Sequence, residues 1–109
     1  MIRKMLFLLI SVILIGATEV HAEHGITVYN NSNSPVQFQL SYDGVNWSQP
    51  YYLAANSGSP YPMTYPSVYI LLPTFDSAGR KIKEVRYQLS SPLRYQIYWN
   101  TYYWDITQY

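Results

Sequence analysis

Hydrophobic and polar residues alternate through much of the chain after residue 22. From Val36, apolar residues at positions 36, 38, 40 and 42 alternate with Gln or Ser at positions 37, 39 and 41. The same alternation recurs over residues 83–90, 93–100 and 102–107. A period of two places successive side chains on opposite faces of a strand, so each segment predicts a β-strand with one buried and one solvated face.

The alternation also predicts which side chains form the core. Residues 68–72 are continuously apolar, which is typical of a central strand covered on both faces. In the alternating strands, the large inward residues are expected to be Phe38, Tyr42, Tyr87, Tyr95, Trp99 and Trp104, together with the aliphatic residues Val85, Leu89, Ile97 and Ile106.

Turn-forming residues separate these strands. A first short strand over residues 26–29 ends in the Asn- and Ser-rich run 30–35, and further turns are expected at 76–79 and 91–92. Asp-Gly at positions 43 and 44 predicts a two-residue type I′ hairpin turn, because this turn needs positive φ at both positions.

The region after the Asp-Gly turn is less regular. A return strand is expected over residues 45–53, with Pro50 marking an edge or a bulge. Residues 54–67 contain three prolines and are expected to form a long loop or an irregular edge segment. About seven short strands separated by turns favour a single all-β domain over residues 23–109, an antiparallel β-sandwich of immunoglobulin-like or related type.

Residues 1–22 have the three parts of an export signal. Arg3 and Lys4 give a short positive region, residues 5–15 are apolar apart from one serine, and residues 20–22 suit cleavage after Ala22. A membrane anchor is the alternative, but the uncharged stretch is shorter than the roughly 20 residues that span a bilayer. We therefore expect a signal peptide and a secreted or periplasmic product.

The composition then limits how the exported part can be stabilised. The chain has no cysteine, so a small domain in an oxidising compartment must hold together without disulfides. Thirteen tyrosines and three tryptophans supply large side chains for the core.

The charges of the exported part are balanced. Seven basic and six acidic residues fall to five of each once Arg3, Lys4 and Glu19 are removed. The remaining basic residues all lie between positions 80 and 94: Arg80, Lys81, Lys83, Arg86 and Arg94. We expect a solvated strand edge, with phosphate, anionic glycan or lipid headgroups as the alternative ligands and no binding of nucleic acid.

Catalytic and metal-binding arrangements can be limited by elimination. The one histidine after residue 22 is His24, which is expected in a mobile N-terminal tail, and there is no cysteine. Among the carboxylates, Asp43 and Asp76 are expected in turns, whereas Glu84 and Asp105 are expected on outward strand positions. The sequence therefore predicts a protein that is not an enzyme and needs no cofactor or metal.

Residues 41–47 read Ser-Tyr-Asp-Gly-Val-Asn-Trp. This segment resembles the Asp box of sialidase-like propellers and the Ser-x-Asp-Gly-x-x-Trp turns of discoidin-type modules that bind carbohydrate or lipid. It lacks the residue that the Asp box has between Asp and Gly, and the chain holds no second copy. The resemblance implies a tight hairpin with a tryptophan packed beneath it.

A broader likeness covers most of residues 23–109. It is carried by an Asn-rich opening, by Phe38, Leu40 and the 41–47 segment, and by the run Tyr95-x-Ile97-Tyr98-Trp99-Asn100 followed by Trp104-Asp105. The pattern is similar to small exported bacterial β-domains of uncharacterised function. It implies the fold and no activity.

Tyrosines that are expected to point outward are the main indication of function. Rings beside Gln, Asn and Arg suit a protein partner or a sugar face. We expect an aromatic binding surface that engages a protein partner at the cell envelope; the alternatives are a glycan- or peptidoglycan-binding module and a structural or self-associating component. The candidate residues are Tyr51, Tyr52, Tyr61, Tyr65, Arg86, Arg94, Tyr98, Tyr102 and Tyr103.

Overall fold

The computed structural model describes residues 23–109, and eight β-strands account for more than half of them. In chain order they are β1 (His24–Asn30), β2 (Val36–Ser41), β3 (Tyr51–Leu53), β4 (Gly58–Met63), β5 (Ser67–Phe75), β6 (Lys81–Ser90), β7 (Arg94–Trp99) and β8 (Trp104–Gln108). No helix in this part of the chain is long and apolar enough to cross a membrane. The predicted signal peptide, residues 1–22, lies outside the described residues.

The strands form two four-stranded sheets. The first sheet has the order β4-β1-β7-β8 and the second has the order β3-β2-β5-β6. Neighbouring strands are antiparallel except for β1 and β7, which run parallel. The predicted all-β sandwich is confirmed, with eight strands where about seven were expected.

The inward faces of both sheets share one core. Phe38, Ile70 and Leu72 of the second sheet and Val28 and Ile97 of the first are fully buried, each with 0% exposed surface. A buried side chain of this kind contributes roughly 1.5–3 kcal/mol. In the continuous apolar run of β5, Val68, Ile70, Leu71 and Leu72 are buried and Tyr69 is half-buried, so the predicted cover on both faces is present except at Tyr69.

The predicted aromatic core is only partly right. Phe38 and Tyr95 are buried, whereas Tyr42, Tyr87 and Trp99 are 44%, 46% and 47% exposed. Each exposed ring lies at the margin of a sheet, where less of the opposing sheet covers it. Tyr42 follows the last residue of β2, Tyr87 is on the edge strand β6, and Trp99 ends β7.

The segment expected to be a loop, residues 54–67, contains the edge strand β4. It pairs with β1 through a register that sets Pro60 opposite Thr27 and Pro62 opposite Gly25. The two prolines are two residues apart, so both missing N–H groups fall on the side that faces away from β1. Proline is compatible with an edge strand for this reason.

The predicted type I′ turn at Asp43 and Gly44 is wrong. Gly44 has a positive φ of 75°, but Asp43 is not among the residues with positive φ. Asp43 Oδ1 instead accepts hydrogen bonds from the N–H groups of Val45 and Asn46, both at 2.8 Å. The chain curls around this carboxylate, and the return strand begins only at Tyr51.

Four loops meet at one end of the sandwich. Because β1 and β7 are parallel and β4 and β8 run against them, residues 31–35, 54–57 and 100–103 emerge at the same end. The loop of residues 76–80 joins them there, because Thr74 of β5 contacts Trp104 of β8. We call this the Trp end; the two ends of the described chain lie at the opposite end.

Candidate functional site

The Trp end contains an open depression of about 580 Å³. Its lining combines three aromatic side chains with amides and hydroxyls: Asn31, Ser32, Asn33, Ser34, Thr74, Phe75, Trp99 and Trp104. We call this the tryptophan site. None of the lining residues is ionisable.

The aromatic wall of the site is built by strand ends. Trp99 ends β7 and Trp104 begins β8, and the two face each other in the ladder. Their ring centroids lie 5.4 Å apart at an interplanar angle of 69°. Trp99 and Phe75, the last residue of β5, are each 47% exposed. The rings project past the core, so they offer apolar surface at the mouth of the site.

A tight turn fixes the spacing of the two tryptophans. Asn100 Oδ1 accepts hydrogen bonds from the N–H groups of Tyr102 at 3.0 Å and Tyr103 at 2.9 Å. Thr101 has a φ of 92°, which is unusual for a β-branched residue and is a strained conformation. The asparagine side chain stabilises the turn that Thr101 strains.

Thr74 joins the two sheets below the site. It is 1% exposed, and its Oγ1 accepts a hydrogen bond of 2.9 Å from the backbone N–H of Trp104. Because Thr74 belongs to β5 and Trp104 to β8, this bond holds one sheet against the other at the floor of the depression.

The polar wall is organised by the buried side chain of Asn30. Its Nδ2 group donates to the carbonyls of Ser34 at 2.7 Å, Leu53 at 3.1 Å and Ala54 at 3.2 Å. Its Oδ1 accepts a hydrogen bond of 2.7 Å from the hydroxyl of Ser32. Asn30 therefore ties the loop of residues 31–35 to the end of β3.

Neighbouring loops hold the same wall. The N–H of Asn31 donates to the carbonyl of Ile97 at 2.8 Å, and the N–H of Asn56 donates to the carbonyl of Ser32 at 3.0 Å. The Nδ2 group of Asn56 also donates to Asn33 Oδ1 at 3.2 Å. The loop whose amides and hydroxyls line the depression is thus held by hydrogen bonds within the protein.

Two of the residues predicted from the sequence lie next to this site. Tyr102 and Tyr103 belong to the turn between the tryptophans, and Tyr102 is 77% exposed. Lys83 Nζ lies 4.7 Å from the centroid of the Tyr103 ring, a cation–π contact. Tyr103 is therefore held against β6, whereas Tyr102 points into solvent.

Three other predicted residues form a tyrosine cluster elsewhere. Tyr51 and Tyr61 pack edge to face with ring centroids 5.3 Å apart, where the edge strands β3 and β4 meet. Tyr65 packs on Tyr42 at 4.9 Å. A depression of about 230 Å³ lies among these rings. Burial raises the pKa of the Tyr61 hydroxyl, as expected for a ring that mainly packs.

The remaining predicted residues lie on the two outer faces of the sandwich. Tyr52 and Arg86 are on the second sheet, but on opposite edge strands. Arg94 and Tyr98 are on the first sheet, where the guanidinium of Arg94 lies 5.2 Å from the ring centroid of Tyr109. The single surface that we expected from these residues is therefore divided among separate faces.

Tyr98 is one of the outward rings expected to bind a ligand. It lies on the outer face of the first sheet, as predicted, but it is half-buried. Its hydroxyl lies 3.4 Å from Asp105 Oδ2 on β8. Desolvation and the negative charge of Asp105 raise its pKa. The ring is engaged by its own sheet.

The structure also corrects the prediction for His24. It begins β1 and lies opposite Met63, so it is part of a sheet and not of a tail. Among residues 23–109, no three residues of the His, Cys, Asp or Glu type are placed to hold a metal ion.

Phe75, Trp99, Trp104 and the loop 31–34 were missed as site residues. The alternation assigned both tryptophans to the core; Trp104 does pack against it in part, whereas Trp99 is exposed, because alternation reports the face of a strand and not how far along the strand the cover extends. One signal was available: two tryptophans flank a short Asn-containing turn, where rings at strand ends lose their cover.

No protein-family model and no curated protein matches this chain. The likeness to small exported bacterial β-domains therefore stays a prediction from the sequence.

Proposed function

We propose that this protein is a non-catalytic binding module that takes an uncharged carbohydrate at the tryptophan site. The observation that carries the proposal is the pairing of exposed Trp99 and Phe75 rings with a preformed wall of amides and hydroxyls across one depression.

The two walls match the two kinds of surface on a sugar ring. One face of a pyranose presents C–H groups, which pack on the face of an aromatic ring, and its rim presents hydroxyls that need hydrogen-bond partners. Asn and Ser side chains both donate and accept, so they suit hydroxyls of either orientation. The volume of about 580 Å³ lies within the roughly 300–1,000 Å³ common for ligand sites.

The lining supports binding of a neutral ligand without chemistry. Hydrolysis of a glycosidic bond ordinarily uses two carboxyl groups on either side of that bond. The tryptophan site is lined by no carboxylate and no cation. An ionic sugar would have no charged partner in the lining, so we favour uncharged hexose or N-acetylhexosamine units.

The predicted export signal supports a glycan that lies outside the cytoplasm. An envelope polysaccharide or the glycan strands of peptidoglycan are such ligands. On this proposal, the protein partner that we expected from the sequence is not the ligand of the tryptophan site.

Binding to defined oligosaccharides tests the proposal. The probes are cellohexaose, maltohexaose and chitohexaose. Each is titrated into the purified protein of residues 23–109 while its intrinsic tryptophan fluorescence is measured. We expect at least one to bind, and we expect Trp99→Ala to weaken that binding by at least tenfold.

Tyr52→Ala is the matched control, because Tyr52 is 71% exposed on a different face of the molecule. It should leave the affinity within about twofold. Equal loss of affinity in both variants, or no binding to any of the three sugars by calorimetry or fluorescence, would reject a carbohydrate site at the Trp end.

A further inference from the structure

The four edges of the two sheets are not equally protected. In the first sheet, β4 carries Pro60 and Pro62, and β8 has five residues. In the second sheet, β3 has three residues, whereas β6 has ten and contains no proline. Short strands and prolines blunt an edge against further pairing. Among residues 23–109, only β5 pairs with β6, so its outer edge is open.

The hydrogen bonds at the end of β6 show which backbone groups are free. Ser91 N–H donates to the carbonyl of Pro66 at 2.8 Å, just beyond the opposed pair Ser67 and Ser90. In an antiparallel ladder this makes that pair a non-hydrogen-bonded one. The N–H of Ser90 accordingly points away from β5, and it donates to the hydroxyl of Tyr95 at 2.9 Å.

The backbone groups of every second residue in β6 point the same way as those of Ser90. The pairing of β6 with β5 is regular from Ser90 to Lys83, so every second residue repeats the geometry of Ser90. The N–H and C=O groups of Glu84, Arg86 and Gln88 therefore point outward from the sheet. Together they form a row of donors and acceptors that an extended chain can pair with.

A pocket lies beside this row, on the outer face of the second sheet. It has a volume of about 230 Å³, and Trp47, Tyr69, Arg86 and Gln88 contribute to its lining. The Arg86 guanidinium lies 5.7 Å from the centroid of the Trp47 ring. When a peptide adds to a sheet edge, main-chain bonds supply affinity and pockets for alternate side chains supply specificity.

The charge of β6 indicates the kind of chain that would pair with it. Lys81, Lys83 and Arg86 stand against one carboxylate, Glu84. This excess of positive charge repels a second copy of β6 and attracts an acidic segment.

We propose that β6 binds an acidic, extended segment of a partner protein by strand addition, with one of its side chains in the pocket formed by Trp47 and Arg86. This site lies on a different face from the tryptophan site and does not depend on the carbohydrate proposal. A carbohydrate-free sample is sufficient to test it.

The probe is a fluorescein-labelled peptide of seven residues that alternates Glu and Val, measured by fluorescence anisotropy against residues 23–109. We expect saturable binding that weakens as salt is raised, because the charges at this edge are exposed. The same peptide with Lys in place of Glu should not bind.

Backbone methylation separates strand addition from simple charge attraction. In antiparallel addition, the residue opposite Arg86 shares its face and exchanges both backbone hydrogen bonds with it, so a Glu placed there turns its amide toward β6. N-methylation of the Glu residues should therefore weaken binding by about tenfold or more. N-methylation of the Val residues should leave it within about twofold. Equal effects of the two patterns would overturn the proposal.

A protein variant provides the second test. Gln88→Pro removes an outward N–H and no ladder bond, and Gln88→Ala removes the side chain but keeps the N–H. We expect the proline variant to bind about tenfold more weakly than the alanine variant, because both lack the Gln88 side chain that lines the pocket and only the proline variant lacks the N–H group. If it does not fold, the methylated peptides decide. Absence of any binding to the Glu peptide would show that the lysines of β6 serve only to repel other strands.

Discussion

Asn30 is the residue on which the polar wall of the tryptophan site most depends. It is fully buried at the end of β1, and its side chain bonds four groups from the loops around it. A buried amide is retained in a core only where its donors and acceptors are paired. The sequence indicated a turn residue at this position; in the structure its buried side chain holds the 31–35 loop to the end of β3.

Replacing Asn30 with alanine should destabilise the fold strongly. The carbonyls of Ser34, Leu53 and Ala54 would lose their donor, and we expect a loss of about 2–4 kcal/mol in the free energy of unfolding. Urea denaturation measures it. Asn33→Ala, an exposed change in the same loop, should stay within about 0.5 kcal/mol. A similar small loss in both variants would mean that Asn30 does not organise the loop.

Substitution of Thr101 is expected to have the opposite effect on stability, because its backbone is strained. Positive φ costs an ordinary residue roughly 1–2 kcal/mol, whereas glycine adopts it freely but loses about 0.5–1 kcal/mol to its flexible unfolded state. Thr101→Gly should therefore leave the protein equally stable or raise its stability by up to about 1.5 kcal/mol. Thr107→Gly, within β8, should lower it. Thermal melting compares the two; a clear loss for Thr101→Gly would exclude strain at this position.

At the scale of the elements, the sequence predicts strands better than it predicts their ends. The alternation from Val36 to Ser41 gives β2, and the apolar run of 68–72 gives the centre of β5. Local pattern suffices over the first four residues of β2, where Val36 and Phe38 are buried and the intervening glutamines are half-exposed; at its end Leu40 is only half-buried and Ser41 is buried. Trp99 shows the limit, since its exposure depends on where the opposing sheet stops.

Two other elements differ from the structure that their sequence favours, one because of strand pairing and one because of local hydrogen bonds. Pro60 and Pro62 argue against a strand, but β1 offers an edge partner that needs no donor from either residue. Asp43 and Gly44 favour a tight hairpin turn, but the carboxylate finds several local donors and forms a wider loop. Neither outcome follows from sequence spacing alone.

The loop around Asp43 should make stability depend on pH. Hydrogen bonds from the N–H groups of Asn46 and Val45, and then from the side chains of Asn46 and Ser41, hold the pKa of Asp43 well below its ordinary value. The folded state therefore binds this proton less readily than the unfolded state does. Its contribution to stability is present above the ordinary carboxyl pKa of about 4 and declines as the pH falls further.

Asp43→Asn removes this titrating group. The difference in melting temperature between the wild type and this variant should be largest near pH 7 and should shrink steadily between about pH 5 and pH 2. Circular dichroism at a series of pH values measures it. A difference that does not change with pH would show that the Asp43 carboxylate contributes no pH-dependent stability.

At the scale of the whole molecule, the tryptophan site is a product of topology. Its residues come from a loop after β1, from the end of β5 and from the two strands that flank the last turn. The parallel pairing of β1 with β7 brings the first of these beside the last, and the bond between Thr74 and Trp104 adds the second sheet. The three parts of the site lie far apart along the chain, so no local sequence pattern indicates that they meet.

Edge protection is also a property of the whole molecule, and it leads to a last prediction. The prolines of β4 deny donors to any strand that approaches this side of the first sheet. Replacing both, as Pro60→Thr with Pro62→Thr, would restore two outward N–H groups in a strand that already pairs with β1. We expect the double variant to remain folded and to associate as its concentration rises, which sedimentation velocity measures.

Pro50→Thr, outside the strands, is the control and should behave as the wild type does. If both variants associate to the same extent, or if neither associates, the β4 prolines do not protect the edge. In that case β4 would be as open to strand addition as β6.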